Sequence, residues 1–470
     1  MSKQQLRNVV IVLIISCIIW FLPAPQGITL PAWHLFSIFV GTILGFILQP
    51  LPIGAVAFIG VTVAALAGVI STSTAVSGFG NSTIWLIICA FLFARAFIKS
   101  GLGRRIAFII IKLIGKSSLT LGYAITLSDF VISPATPSST ARAGGIIYPI
   151  IRSLSSALGS EPGDTARKFG AYIMQIEYHA NAITCAMFMT AMAGNPLTVE
   201  LAEKTIGVNM TWGTWAMAAI VPGLISLIVM PYLLYLIYPP EIKEMPHAKE
   251  MAIQELRQMG SLSKIEKIVS IVFIGALILW ATSEITHLNA TLIAMMAVAV
   301  LIVTNVLTWD DVLAEKGAWN TMFWMGALIT LASALAKSGF IKTVSEMAGA
   351  AIQSAGFTWM VAFILLAIIY VYSHYAFASV TAHIGAMYAA FLSVAVAVGT
   401  PPLLSAISFA VISNLMIPLT HYGGGAAPIL YGADFVPQGK WWQLGFIITT
   451  VNLFIWLGIG SAWWKVIGLW

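Results

Sequence analysis

The sequence predicts an all-α membrane protein with eleven transmembrane helices and two re-entrant hairpins, arranged as an inverted repeat. Of the 470 residues, 59% are hydrophobic and only 9% are charged, whereas an average soluble domain has roughly 25% charged residues. The mean hydropathy is +0.94, and apolar stretches recur along the chain at about the 20-residue length that spans a bilayer. The composition therefore excludes a soluble fold.

The apolar segments predict eleven membrane-crossing helices. They cover residues 8–22, 34–48, 53–70, 82–98, 169–199, 212–238, 267–285, 289–307, 319–337, 402–435 and 442–464. Segment 1–29 holds the first helix, which we interpret as uncleaved because no small-residue cleavage site is clear after Pro25. Most of the 23 Lys and Arg residues fall on the side of the N-terminus, which the positive-inside rule places in the cytoplasm. Without a recognisable transit peptide, we expect a multi-pass protein of a bacterial inner membrane.

Two further apolar segments predict re-entrant hairpins. Residues 119–151 are interrupted by the polar run from Ser133 to Thr140 and are too short for two crossings, which need about 40 residues. Residues 357–398 carry a similar run from Tyr372 to His383, although their length also allows two crossings. Non-helical backbone at membrane depth is tolerated only where it is buried in protein or lines an aqueous cavity. Both hairpin tips are therefore candidate binding sites.

The chain also contains an internal repeat. The stretch from Ala94 to Gly101 aligns with that from Ala332 to Gly339, and Ser138 in one hairpin aligns with Ser379 in the other. The copies cover residues 30–238 and 267–470, and residues 239–266 form a predicted cytoplasmic linker. An odd number of crossings separates the two starts, so the second copy is inverted, with a cytoplasmic-side first hairpin and an outer-side second hairpin. Such repeats are typical of secondary transporters that bind substrate between interrupted helices.

The residues at the two tips favour an anionic ligand. The candidate binding residues of the tips are Thr136, Pro137, Ser138, Ser139, Thr140, Ser379, Val380 and Thr381. Their hydroxyls and the free N–H groups of a helix start attract carboxylates. Arg142 and His383 follow one turn inward and add positive charge where Coulomb attraction exceeds that in water. Two opposed cationic tips suit a molecule with carboxylates at both ends.

Other interpretations of these residues stay open. The Ser/Thr clusters could be simple helix caps, and Arg142 could be a structural charge paired with an acid such as Asp129. His383 has the same alternatives, and for His374 a structural polar contact is favoured. Glu177 and His179 favour a polar contact or gate on the cytoplasmic side.

The long helices after the two hairpins are also interrupted. Asn195 follows Ala193-Gly194 in the first, and Thr420 and His421 precede a run of three glycines in the second. These breaks bring backbone polar groups to the site, although the glycines could also serve close helix packing.

Several other classes of protein are excluded or disfavoured. The three cysteines form neither a disulfide framework nor a metal cluster, and we expect no metal ion and no cofactor. We expect no catalytic residues, because the motifs of intramembrane enzymes are absent from the sequence. The net charge of +6 is spread between apolar spans, which argues against nucleic-acid binding. A channel would need a continuous polar lining, and here the polar residues concentrate in two clusters.

The segments 136–149 and 188–197 resemble the divalent anion:sodium symporter (DASS) family, in particular its citrate/succinate, tartrate/succinate and plastid 2-oxoglutarate/malate exchangers. The resemblance implies a homodimer in which a scaffold holds the partner while a transport domain carrying both hairpins moves as an elevator. It also implies that Ser-Asn-Thr motifs at the tips bind the substrate carboxylates.

The chain departs from this pattern at the centre of both motifs. It has Ser139 and Val380 where the sodium-coupled members have Asn. Val380 supplies no side-chain oxygen for sodium, and Arg142 and His383 could place fixed charge where the ions would sit. We therefore predict sodium-independent antiport of di- or tricarboxylates such as succinate, malate, fumarate, citrate, tartrate or 2-oxoglutarate. The alternative is a sodium- or proton-coupled symporter.

Overall fold

The computed structural model describes residues 2–245 and 247–470, apart from the side chains of Glu284 and Gln353. Met1 of the predicted first segment and Pro246 of the predicted linker lie outside these ranges. The described chain consists of helices and their connections, which confirms the all-α class. Many helices begin at a Ser, Thr or Asn cap, and at the start of one of them Ser263 and Glu266 form a reciprocal capping box.

The described residues of the first half form eleven α-helices. They are α1 (Lys3–Phe21), α2 (Leu30–Leu48), α3 (Ile53–Leu66), α4 (Thr72–Ser77), α5 (Ser82–Ser100), α6 (Leu102–Ile114), α7 (Ser118–Ile132), α8 (Tyr148–Ala157), α9 (Gly170–Met187), α10 (Gly194–Ile206) and α11 (Trp212–Ile237). A π-helical segment, Ala141–Ile147, leads into α8, so that α7 and this continuous helix form the two arms of the first hairpin.

The second half repeats this order of elements. Its helices are α12 (Ala248–Met259), α13 (Lys264–Ala281), α14 (Ser283–Thr286), α15 (Ala290–Val303), α16 (Trp309–Ala314), α17 (Lys316–Lys337), α18 (Phe340–Ser354), α19 (Trp359–Tyr372), α20 (Val380–His383), α21 (Ala389–Ala397), α22 (Pro402–Leu415), α23 (Ala427–Gly432), α24 (Gln438–Phe454) and α25 (Ser461–Val466). Here α19 is one hairpin arm, and α20 continues through the π segment Ile384–Tyr388 into α21 as the other.

The helices have the lengths expected of a multi-pass membrane protein. Among the described residues, nine helices or helical arms are long and apolar enough to cross a bilayer, and α3 and α15 are shorter apolar helices. The count of eleven crossings and the opposite orientation of the two halves stay predictions.

Two long predicted helices are each divided in the structure. The predicted helix 169–199 is α9 and α10 with a break at 188–193, and the predicted helix 402–435 is α22 and α23 with a break at 416–426. In the second break, Pro418 has no N–H group to donate and three consecutive glycines disfavour a helix. Pro196 lies early in α10, where a missing N–H costs nothing.

Five helices lie outside the predicted spans, namely α4, α6, α12, α16 and α18. They are short or amphipathic, as α6 illustrates: Leu102, Phe108 and Ile111 are buried, whereas Arg104 and Lys112 are exposed. A search for uniformly apolar segments misses such helices. In α6, Arg105 donates to the carboxylate of Glu266 at 2.5 Å, which fixes this connecting helix to α13.

The two halves pack against each other through pairs of helices, one from each half. Helix α3 packs on α17 and α15 packs on α5, so each half supplies one member of each pair. Likewise α10 packs against the second arm of the second hairpin, and α23 contacts the second arm of the first hairpin. This packing brings both hairpins and both helix breaks into the centre of the molecule.

Candidate functional site

Four interrupted segments converge in the centre of the molecule. We call residues 133–140 the first tip, 373–379 the second tip, 188–193 the first break and 416–426 the second break. The Thr190 hydroxyl donates to the Pro134 carbonyl at 2.8 Å and joins the first tip to the first break. The Tyr422 hydroxyl donates to the Tyr375 carbonyl at 2.9 Å and joins the second tip to the second break.

Contacts across the two halves complete the cluster. The Asn414 amide donates to Oδ1 of Asn195 at 2.8 Å, linking the ends of α22 and α10. Gly425 in the second break lies so close to Thr140 that a Cβ at this position would collide with the Thr140 hydroxyl. The four segments therefore form one connected polar region.

Each tip starts the second arm of its hairpin with a serine cap. The Ser138 hydroxyl accepts from the Ala141 N–H at 3.1 Å, and the Ser379 hydroxyl accepts from the Ala382 N–H at 3.4 Å. The serine caps follow from the sequence, because Ser is a preferred cap residue. Pro137, expected at an early helical position, lies outside the helix, directly before the Ser138 cap. The positive ends of both helices therefore point into the polar region.

The hydroxyls beside these caps are available to a ligand. Ser139, Thr140 and Thr381 are half-buried, and their hydroxyls make no hydrogen bond to any described residue. Thr136 differs, because it is buried and its hydroxyl donates to the Ile132 carbonyl at 3.1 Å. Val380 is buried and presents only methyl groups.

Arg142 does not carry an unpaired charge. Its side chain is fully buried, and Nε donates to the Asp129 carboxylate on α7 at 2.8 Å. Of the alternatives left open by the sequence, the structure shows the ion pair. Thr184 donates its hydroxyl to the same carboxylate, so α9 takes part as well.

The rest of the guanidinium is surrounded by acceptors. Nη1 donates to the carbonyls of Thr136 at 2.8 Å and Ala191 at 3.1 Å. Nη2 lies 3.5 Å from the Asn181 carbonyl, 3.3 Å from the Thr184 hydroxyl and 3.1 Å from the Cys185 sulfur. The expectation that Arg142 adds free positive charge is thus not met. Instead, its hydrogen bonds connect the first tip to both hairpin arms, to α9 and to the first break.

His383 is one of a pair of buried histidines. Its Nδ1 lies 3.1 Å from Nδ1 of His374, whose Nε2 lies 3.0 Å from the Gly423 carbonyl. Because a carbonyl oxygen only accepts hydrogen bonds, Nε2 of His374 is the donor to Gly423. Neutral His374 then accepts at Nδ1, and Nδ1–H of His383 donates to it. This leaves Nε2 of His383 beside the Ser373 hydroxyl at 3.5 Å, while the ring stacks on Phe377.

The remaining predicted site residues lie at the start of α10 and in the second break. Asn195 donates to the carbonyls of Cys185 at 2.8 Å and Phe188 at 3.0 Å, so it closes the first break. The Thr420 hydroxyl is buried and has no partner within the described chain. His421 accepts from the Trp442 indole at 3.0 Å and packs on Tyr431, so it belongs to an aromatic cluster beside the site.

Sequence reasoning missed two features of this region. The Tyr178 hydroxyl contacts the Ile417 carbonyl at 3.0 Å and the Thr420 carbonyl at 2.9 Å, but a tyrosine in a helix gives no signal of such a contact. A cavity of about 540 Å³ also opens beside the first tip, between Ser138 and Thr140 on one side and α5 on the other. Arg95, a charged residue within the predicted helix 82–98, indicates the charged wall of this cavity in the sequence.

This architecture, with interrupted helices meeting in a buried polar region, is that of a multi-pass membrane transporter. The chain belongs to the DASS family: the model of the sodium:sulfate symporter transmembrane region matches residues 3–470.

Named relatives cover nearly the whole chain. The protein named "Putative malate transporter YflS" of Bacillus subtilis is 51% identical over 470 residues, which are 100% of this chain and 98% of the relative. Dicarboxylate transporter 1 of spinach chloroplasts, from Spinacia oleracea, is 49% identical over 96% of this chain and 80% of its own length. The crystal structure of the Alcanivorax borkumensis YdaH transporter shares the fold, with a TM-score of 0.56 at 12% identity over 99% of this chain and 98% of that one.

Proposed function

We propose that this protein exchanges di- and tricarboxylates across a bacterial inner membrane without sodium. The named relatives, a malate transporter and plastid dicarboxylate transporters, support the substrate class. The capped helix starts at both tips and the unbonded hydroxyls beside them support carboxylate binding. Malate and succinate are the first substrates to test, with citrate, tartrate and 2-oxoglutarate as competitors.

The surroundings of Arg142 carry the proposal of sodium independence. Carboxylate, hydroxyl and carbonyl oxygens are what a hard cation such as sodium requires in a protein. Here the Asp129 carboxylate, the Thr184 hydroxyl and the Thr136 and Ala191 carbonyls all contact the guanidinium. A covalently attached cation thus takes the oxygens that a transported ion would need. Val380, directly after the second tip, has no side-chain oxygen.

Exchange then follows from the electrostatics of the tips and not from Arg142, whose charge Asp129 balances. Each tip presents a helix N-terminus equivalent to roughly +0.5 of an elementary charge. Moving this polar region empty through the membrane exposes uncompensated positive ends, and a bound dianion compensates them. The loaded carrier therefore crosses more readily than the empty one.

We extend the proposal to the mode of operation. The resemblance to the family supports a homodimer and an elevator movement of the hairpins, and the distribution of Lys and Arg supports a cytoplasmic N-terminus. Light scattering of the detergent-solubilised protein tests the dimer, and labelling of an introduced cysteine near Lys3 in intact cells tests the orientation.

The test of function is radiolabelled malate uptake into proteoliposomes. Vesicles are loaded with unlabelled malate or left empty, each with and without external sodium. We expect uptake only into loaded vesicles and the same rate without sodium. Ser138→Ala and Ser379→Ala should raise KM, whereas Ser153→Ala, an exposed position on the same hairpin arm as the first tip, should not. Sodium-driven uptake into empty vesicles would contradict the proposal.

A proton-coupled symporter is the second candidate. Glu177 and His179 on α9 are buried, and none of their polar side-chain atoms has a hydrogen-bond partner in the described chain. Such groups are expensive unless they exchange protons or contact water. Uptake into empty vesicles under an imposed pH gradient, abolished by Glu177→Gln, would support this candidate.

A further inference from the structure

The cavity beside the first tip has a charged wall. It is lined by the tip residues Ser138 and Thr140 and, opposite them, by Arg95 and Lys99 on α5 with Asp311 and Glu315 near the start of α17. The Arg95 side chain is 32% exposed and that of Lys99 is 40% exposed, so water reaches these charges. A substrate in this cavity lies between the charged wall and the tip residues.

The four charges are not equally paired. Asp311 receives Nε and Nη2 of Arg95 at 3.1 Å each and Nζ of Lys99 at 2.6 Å. The Lys99 ammonium, the Thr308 N–H and Arg95 hold the pKa of Asp311 well below its usual value, so it remains a carboxylate. By contrast, Glu315 contacts Arg95 only through Nη1, at 3.5 Å, the outer limit of a hydrogen bond.

We infer that Arg95 is a docking residue that binds one carboxylate of the incoming substrate, in place of Glu315, before the substrate reaches Ser138 and Thr140. The Nη1–Nη2 edge of a guanidinium matches a carboxylate in a two-point geometry. Asp311 anchors the other edge and fixes the orientation of the side chain. Exchanging a weak, partly exposed contact with Glu315 for a substrate carboxylate costs little. This inference rests on the proposed transport of carboxylates.

The docking site exists on one face of the protein only. In the internal repeat, Arg95 aligns with Ser333, and Lys99 aligns with Lys337. The second half therefore has no arginine at the equivalent position. Arg95 should affect substrate entry from the face on which α5 ends, which the charge distribution predicts to be cytoplasmic, and leave entry from the other face unchanged.

The test compares KM for malate exchange on both faces, in inside-out and right-side-out membrane vesicles. Arg95→Gln should raise KM on the α5-end face about tenfold, the effect of losing a charged hydrogen bond, with unchanged KM on the other face. Arg95→Lys should fall in between. Glu315→Gln should lower KM on the α5-end face, because it frees the guanidinium edge. Ser333→Ala is the matched control in the second half and should change neither value.

The opposite changes in KM expected for Arg95→Gln and Glu315→Gln distinguish a docking role of Arg95 from a structural one. If the Arg95–Glu315 contact only stabilised the fold, both variants would impair transport alike and lower the unfolding temperature in detergent. Equal changes on both faces, or the same sign for Arg95→Gln and Glu315→Gln, would overturn the inference. If the wild-type protein exchanges no carboxylate at all, the proposed function itself fails, and that result is separate from these.

Discussion

At the scale of residues, the ion pair between Arg142 and Asp129 fixes the first tip. Both side chains are completely buried, and together they join two hairpin arms. Removing one partner leaves an uncompensated buried charge, which typically costs about 3–5 kcal/mol. We expect Asp129→Asn and Arg142→Met each to lower the unfolding temperature markedly and to abolish exchange.

The double variant Asp129→Leu/Arg142→Met is the control. Replacing both charges by apolar groups removes the desolvation penalty. It should therefore unfold at a higher temperature than either single variant while still failing to transport. Single variants as stable as the wild type would show that the pair does not hold the tip.

The histidine pair supports the second tip in a similar way. His374→Phe leaves the Nδ1–H of His383 and the carbonyl of Gly423 without partners, and each such group costs about 1–3 kcal/mol. We expect a lower unfolding temperature and a higher KM for malate. The control is His34→Phe, because His34 stacks on Trp20 with ring centroids 3.8 Å apart, and a phenyl ring preserves this stacking. Equal unfolding temperatures for the two variants would contradict the assignment.

At the scale of elements, the close approach of tip and break determines the shape of the site. A Cβ on Gly425 would collide with the Thr140 hydroxyl, so Gly425→Ala must rotate or displace the Thr140 side chain in the first tip. We expect a several-fold rise in KM with little change in stability, because residue 425 is exposed. Gly432→Ala, on the neighbouring helix α23, is the matched control, since its added Cβ meets nothing within 4 Å. An unchanged KM for Gly425→Ala would contradict this geometry.

The sequence predicts the helical arms well because their signals are local, whereas the re-entrant course of the two hairpins stays a prediction. The predicted ranges are 119–151 and 357–398, and the observed arms run from Ser118 to Ala157 and from Trp359 to Ala397. The agreement is close because Ser, Thr and Pro at a tip end one helix and cap the next. The short helices α4 and α16 also begin at caps, Ser71 and Thr308, but their six residues are too few to show an apolar period in the sequence.

The site was predictable only in part, for the same reason. The identity of the tip residues follows from local composition, but the partner of a buried charge depends on packing. Asp129 precedes Arg142 by 13 positions, and only the hairpin turn brings them together. The contacts of Tyr178 and the wall formed by Arg95 and Asp311 join segments over 200 residues apart, beyond what spacing along the chain can show.

At the scale of the whole molecule, one contact tests the elevator movement. Glu200 on α10 accepts from Asn81 at 2.7 Å and from the Thr83 hydroxyl on α5 at 3.0 Å. If α10 moves with the hairpins while α5 stays in the scaffold, these bonds must break during transport. Thr83→Cys/Glu200→Cys in a Cys17→Ala background, joined by a short thiol cross-linker, should lose exchange. Full exchange after complete cross-linking would contradict the elevator movement. Each single-cysteine variant, which cannot form the cross-link, is the control and should retain exchange after the same treatment.

We propose that Arg142 occupies the place of a transported sodium ion. Simultaneous measurement of radioactive sodium and labelled malate entering malate-loaded proteoliposomes tests it most directly. We expect malate entry with no sodium entry above that of protein-free vesicles. Entry of sodium in a fixed ratio to malate would contradict it.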